Sequence, residues 1–332
     1  MAPPTLIEGP SDGAPALSVV LVTKDSFATI RKTVSHLRAQ TVREAIELVV
    51  VAPSRSALAL DHGLVNGFAC HTVVEVGVVV TIGAANAAGI GRARARIVAL
   101  AEDHCFPDPA WAESLIRTHT GPWVAVGPAV RNANPATAVS WADLFIGYGP
   151  WLEPVAAGEV EFLPGHNTSY KRGALLDYGD RLESLLGAET VLHWDLRSKG
   201  HRLYLEPAAR VAHTNFSLWS SWIPVQFLSG RVFAGTRRTG MSPLTRAVYV
   251  LGSPLIPLVR LVRLARAARA PELRSRFLRY LPAIAAGLVL DAAGQMVGYA
   301  LGAGDSPREL ARYEFRRIDH LTARDRREVF GQ

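Results

Sequence analysis

The sequence predicts an α/β fold, a mostly parallel sheet flanked by helices, on three observations. Short apolar runs of strand length alternate with stretches whose apolar residues recur at helical spacing. The runs are mostly apolar and do not alternate with polar residues, as strands covered on both faces require. One of them, Ile97 to Ala101, breaks at its carboxyl end into Glu102-Asp103-His104, which is where open α/β sheets place ligand chemistry. At 332 residues, 49% of them apolar, the chain can form one large domain with appendages or two domains.

Residues 1–15, rich in Pro, Gly and Ala and without a basic segment, read as a disordered tail and not as a signal peptide. Leu17 to Val22 is the first strand. It turns at Thr23-Lys24-Asp25-Ser26 into a helix carrying Phe27, Ile30, Val34 and Leu37 on one face, with Asp25 or Ser26 as its N-cap. Ile46 to Val51 is a second strand, and Gly83 to Arg96 is a small-residue helix feeding the strand that ends at Glu102. Ala110 to His119 is another helix and Val124 to Val130 another strand. No internal repeat interrupts the alternation.

Composition narrows the class further. Cys70 and Cys105 give neither a disulfide framework nor a zinc module, which favours a reduced, cytosolic setting. The net charge of +7 is uneven: residues 221–332 hold 18 Arg, no Lys and eight acids, a balance of +10, leaving −3 for the first 220 residues. In the basic part Arg260, Arg263 and Arg266 recur three apart among aliphatic residues, as on a helix lying on an anionic membrane surface. The intervening residues are aliphatic and not stacking aromatics, so nucleic acid is not expected as a partner. Ala247 to Val259 is nearly uncharged but broken by Pro254 and Pro257, and Tyr280 to Gly304 is apolar except for Asp291 and Gln295. A mid-segment carboxylate costs about 2.5–3.5 kcal/mol on insertion scales, so a shallow hairpin or packing against the globular part is expected before full spanning.

Three common enzyme readings fall away. The stretch Gly83 to Gly91 lacks G-x-G-x-x-G spacing directly after a strand, and neither a Walker A lysine motif nor a G-x-S-x-G elbow occurs. What remains is the acidic corner, whose two hard carboxylates and one imidazole suit Mg²⁺ or Mn²⁺ and a phosphorylated substrate. Read without context, the same triplet is an ordinary polar strand-to-loop corner.

From about Leu17 to Arg238 the chain resembles the family 2 glycosyltransferases. The residues that carry the resemblance are Val22-Thr23-Lys24-Asp25 after the first strand, Ala84-Ala85-Asn86 with Gly89 in the following helix, and Glu102-Asp103-His104 in place of the D-x-D metal motif. Gly165-His166-Asn167 with Lys171-Arg172, Glu189 with Leu192 and Gly200, and His213 complete the series. The resemblance implies a GT-A type, Rossmann-like catalytic domain over residues 16–238, followed by a basic, amphipathic, membrane-associating helical region over residues 239–332. It implies donor-nucleotide contacts from Thr23, Lys24, Asp25, Asn86, Glu102 and Asp103, and a Mn²⁺ or Mg²⁺ ion on Asp103, His104 and His213. Glu189 is implied as the general base. The acceptor or diphosphate is assigned to His166, Asn167, Trp194 and Arg231, with Arg237 and Arg238 beside it. His213 and Glu189 each keep a structural reading, as a satisfied core histidine and as a helix-dipole partner. Of Trp141, Phe145, Tyr148, Trp151, Trp219 and Trp222, one or two are expected to touch acceptor.

Three positions depart from the pattern: Ala52, Ala85 and Ala188 stand where the family carries acids or arginine. The activity implied is inverting transfer of a sugar from a nucleotide-diphosphate donor to a glycolipid, a lipid-linked precursor or a saccharide of an envelope polysaccharide. The expected location is the cytoplasmic face of the membrane, peripheral or monotopic. Alternatives are a degenerate binding or scaffold subunit and a nucleotidyltransferase. Whether the chain forms a homo-oligomer is left open.

Overall fold

The computed structural model describes residues 14–332, so the expected tail lies outside the described residues but for its last two positions. Nine strands form one sheet: β1 (Leu17–Val22), β2 (Ile46–Ala52), β3 (Cys70–Glu75), β4 (Ile97–Ala101), β5 (Cys105–Pro107), β6 (Trp123–Asn132), β7 (Gly158–Val160), β8 (Ser169–Lys171) and β9 (Arg202–His213). Their spatial order is β3-β2-β1-β4-β8-β6-β9-β5, with β7 against β9.

The first four strands are parallel, with Leu17 beside both Ile46 and Ile97. Every residue of β1 and β2 is buried, which is why neither run alternates with polar residues. The second half of the sheet is mixed. β8 runs antiparallel to β4 and β6, β6 runs parallel to β9, and β5 runs antiparallel to β9.

Phe27, Ile30, Val34 and Leu37 are all buried, as the helical spacing requires. Ser26 is the N-cap but its side chain makes no cap bond. Asp25 Oδ1 instead fixes the turn into the helix, accepting from the Ser26 N–H and the Thr29 hydroxyl. The helix Ile82–Arg92 lies so close to β1 and β2 that a Cβ on Gly89 would strike Val20 and Val51. Each fully buried Val or Leu in this layer stabilises the fold by about 1.5–3 kcal/mol.

Helix Trp219–Arg237 carries helix Leu281–Leu301 on its flank, backbone against backbone. A Cβ on Gly230 would meet the Asp291 carbonyl, and one on Gly294 the Phe227 carbonyl. The Asp291 carboxylate accepts from Arg260 Nη1 and Gln295 Nε2, both at 2.7 Å. Arg260 also donates to the Ile146 carbonyl, so it points into the protein and is not available to lipid headgroups, unlike the exposed Arg263 and Arg266. The residues after 301 do not extend away from the part of the chain that holds the sheet. The segment from Ser306 onward folds back onto it, with His320 on Ser221 and the Val329 carbonyl on Lys32. A boundary at residue 238 therefore divides one packed body.

Candidate functional site

The corner after β4 turns immediately into β5, and β5 pairs with β9 so that Cys105 lies opposite His213. That register sets Glu102, Asp103 and His104 beside the end of β9. Glu102, His104 and His213 offer ligand atoms within 4.8 Å of one another. His104 Nε2 is 3.4 Å from Glu102 Oε1, and His213 Nε2 is 3.6 Å from Glu102 Oε2.

Each imidazole is oriented from behind. His104 Nδ1 donates to Asp103 Oδ1 (2.5 Å) and His213 Nδ1 donates to Asn215 Oδ1 (2.9 Å). Both therefore turn an unprotonated Nε2 toward Glu102, the arrangement found in histidine metal ligands, although the His104 Nε2 also accepts from Arg317 Nη2 at 3.1 Å. Burial, with Arg317 nearby, pushes both histidines well below their usual pKa, so they are neutral and able to coordinate. Burial pushes Glu102 up to about 7 and Asp103 up to about 7. Glu102 Oε2 is buried without a hydrogen-bond partner. A buried carboxylate whose Oε2, unpartnered, faces His213 and whose Oε1 faces His104 fits a divalent ion of the Mn²⁺ type. Asp103, expected as a ligand, is engaged elsewhere: its Oδ2 accepts from the Arg316 N–H, and Glu102 takes its place in the triad.

Glu189 is the first residue of helix Glu189–Ser198, and Leu192 and Leu196 of that helix are buried beneath it. Its carboxylate fills the space above Gly165, where any Cβ would collide with it. His166 joins the two acidic poles, with Nδ1 3.3 Å from Glu102 Oε1 and Nε2 3.5 Å from Glu189 Oε1. Burial lowers the His166 pKa, but Glu102, Glu189 and Glu314 outweigh it and hold the pKa above its usual value. Asn167 turns this loop in the left-handed region (φ 59°), its N–H donating to the Leu100 carbonyl.

One cavity of about 740 Å³ collects Glu102, His166, Glu189, Trp194 and His213, together with Tyr148 and Trp151 of the six aromatics. Trp141, Phe145 and Trp222 are buried in the core, and Trp219 is exposed. Thr23, Lys24, Asp25 and Asn86 lie outside its lining. Asp25 is held below its usual pKa: burial raises it, but hydrogen bonds from Thr29, Ser26 and Thr23 and the Arg316 charge outweigh that. Asn86 is buried against the sheet with its side-chain oxygen unpartnered. Arg231 departs from the acceptor or diphosphate assignment. Its Nε donates to the Gly302 carbonyl and it lines a separate, smaller cavity, because it sits on the opposite face of helix Trp219–Arg237.

The sequence reading missed the C-terminal contribution. Arg317 is 3% exposed, stacks 3.6 Å over the Phe216 ring and places Nη2 3.1 Å from His104 Nε2. It pairs with Glu314 and faces Asp143, yet its Nε and Nη1 are buried without hydrogen-bond partners. Arg316, in the left-handed region at φ 67°, reaches Asp25 at 3.4 Å. Only the i,i+3 spacing of Glu314 and Arg317 marked these residues, and within an arginine-rich tail that signal has no contrast.

No family model matches the chain, and no curated protein matches it by sequence. Solved structures do. The structure of GalNAc-T7 with UDP, GalNAc and Mn²⁺ aligns at a TM-score of 0.53 with 12% identity over 81% of this chain, which spans 55% of the length of that one. The mannosyltransferase PcManGT from Pyrobaculum calidifontis, in complex with GDP-Man and Mn²⁺, aligns at 0.52 with 16% identity, over 85% of this chain and 87% of that one. Both are glycosyltransferases of GT-A type, and this chain has that fold.

Proposed function

We propose that the chain is a metal-dependent, inverting glycosyltransferase. In this reading it moves a sugar from a nucleotide-diphosphate donor to a glycolipid or polysaccharide precursor at the cytoplasmic face of the membrane. The observation that carries the reading is the convergence of Glu102 and His213 with Glu189 on one cavity, bridged by His166, with His104 within ligand reach of Glu102 and His213. The two solved relatives named above carry nucleotide or nucleotide-sugar together with Mn²⁺, which supports assigning the same donor class here.

Glu102, His104 and His213 would hold the ion, which when bound neutralises the charge that develops on the leaving diphosphate. Glu189 takes the proton from the acceptor hydroxyl. It is the first residue of a helix, and its Oε1, which faces His166 Nε2 at 3.5 Å, is buried without a hydrogen-bond partner. His166, between the two carboxylates, keeps Glu189 and Glu102 oriented toward the shared space. With the base across the cavity from the ion, the acceptor oxygen that has given its proton to Glu189 would attack the anomeric carbon from the face opposite the departing nucleotide diphosphate, and that carbon would invert.

One observation favours the scaffold reading: the Arg317 guanidinium already supplies positive charge beside His104. Donor turnover separates the two. With Mn²⁺ and a panel of nucleotide sugars, the enzyme reading expects sugar transfer that falls by about 10²–10⁴ in Glu189→Gln. Absence of turnover in the wild type across the panel would leave the scaffold, and pyrophosphate release from a nucleoside triphosphate would identify a nucleotidyltransferase.

A further inference from the structure

The cavity continues past Glu189 and Trp194 to the exposed helical run Pro243–Ala267, and the charges on that far wall are Arg237, Arg260 and Arg263, of which Arg237 is half-buried and Arg263 exposed. The Arg237 guanidinium stacks over the rings of Trp194 (4.9 Å) and Tyr249 (4.4 Å) and donates to the hydroxyls of Tyr299 and Tyr249, each at 2.9 Å. All of these partners are neutral. Among the described residues no carboxylate pairs with Arg237, whereas its neighbour on the same cavity, Arg260, is paired with Asp291. A half-buried guanidinium fixed by two hydroxyls and two aromatic faces, with no counter-ion, is a preformed anion site. Its rotamer is set in advance, and partial burial strengthens the attraction.

The surroundings of that charge are apolar. Phe233, Val248, Leu255 and Val259 line the same stretch of cavity, which runs out against the face where Leu251 and Leu258 stand exposed. Trp194 follows Glu189 by five residues in one helix, a rise of about 7.5 Å. An anion on Arg237 therefore sits a short step from the carboxylate that would take the acceptor's proton.

We infer that the acceptor is a phosphate-bearing lipid: its phosphate rests on Arg237, its hydrocarbon chain follows the apolar wall to the exposed helical run, and its hydroxyl end points to Glu189. The assignment of the hydroxyl rests on the transferase reading; the phosphate and chain sites do not. Arg237 touches the acceptor side and none of the residues of the acidic corner, which separates this anion site from the donor diphosphate.

The test is calorimetric titration of the full chain with submicellar dodecyl phosphate, inorganic phosphate and dodecyl maltoside. Dodecyl phosphate is expected to bind at least about tenfold more tightly than either of the others. Arg237→Gln should remove about tenfold of that affinity. The Tyr249→Phe, Tyr299→Phe double variant, which keeps the charge but releases the guanidinium, should lose a few-fold. Equal binding of dodecyl maltoside overturns the anion site, equal binding of inorganic phosphate overturns the lipid site, and unchanged affinity in a folded Arg237→Gln overturns both. UDP and GDP binding with Mn²⁺, measured on the same samples, keeps the two readings apart. Nucleotide binding without lipid-phosphate binding defeats this inference alone, and the reverse defeats the donor reading alone.

Discussion

Among the described residues two helical segments are long and apolar enough to cross a membrane, nearly equal in mean hydropathy, and they meet opposite fates. Leu281–Leu301 has half of its apolar window buried inside the protein; Pro243–Ala267 has 11% of its window buried. The difference lies in small residues and one ion pair. Leu281–Leu301 presents Gly287, Gly294 and Gly298 to its neighbours, and its single carboxylate is answered by Arg260 and Gln295. Pro243–Ala267 presents Leu244, Val248, Leu251, Leu255 and Leu258 to the outside, more than half exposed each. Hydropathy measures how much a segment would gain by leaving water, and packing decides what it leaves water for.

The largest expected effect that tests this contrast is Gly294→Ala. The new Cβ would meet the Phe227 carbonyl, so thermal or denaturant unfolding should report a loss of about 3 kcal/mol. Gly252→Ala in the exposed run, where a Cβ meets nothing within 4 Å, should be neutral or stabilising by up to about 1 kcal/mol. Equal effects would mean that the two helices do not differ in packing. Next comes Asp291→Ala, which strands Arg260 and should cost about 2 kcal/mol; combining it with Arg260→Gln should recover part of the loss in a double-mutant cycle.

Replacing Leu251, Leu255 and Leu258 by Ser should change stability by under about 0.5 kcal/mol per site. The same triple variant should reduce sedimentation with anionic vesicles by about tenfold or more. Retained vesicle binding would show that the exposed run is not what meets lipid. A further effect is one of pH. Burial pushes Asp143 up to about 6 against the pull of Arg317 and the Phe216 N–H, and its carboxylate accepts from Trp222 and Gln226 of the helix that carries Leu281–Leu301. Because the folded state keeps a proton that the unfolded chain gives up, this contribution is complete below pH 3.8 and is lost as pH rises through about 6. Asp143→Asn should flatten that part of the stability profile; an unchanged slope would assign the titration to other groups.

The same contrast between local pattern and packing runs through the site. Glu102, His104, Glu189 and His213 stand at or just past a strand end or at the start of a helix, where the surrounding apolar pattern fixes their place in the chain, and His166 lies in the turn before β8. Asp103 illustrates the limit. In sequence it is the better ligand of the acidic pair, yet alternation of side chains along the corner turns it away from His213 and toward the Arg316 backbone. Arg231 was misplaced by the same kind of ambiguity, since the two faces of helix Trp219–Arg237 both carry arginine and nothing local tells which one faces the cavity.

What the amino-acid sequence determined by itself is local and periodic: the buried strands β1 and β2, the helices beginning near Phe27 and Glu189, the acidic corner after β4, and the basic, apolar character of the last third. These follow from short-range sterics and from the period of the apolar residues, which act within a few positions along the chain. Only the tertiary structure decided which apolar helix is buried and which is bare, that the C-terminal segment returns to set Arg317 on His104, and that Arg260 has a counter-ion while Arg237 has none. Those are contacts between residues up to 213 positions apart, as Arg317 is from His104. They depend on which surfaces close against each other, and backbone approach at glycines such as Gly230 and Gly294 sets that closure.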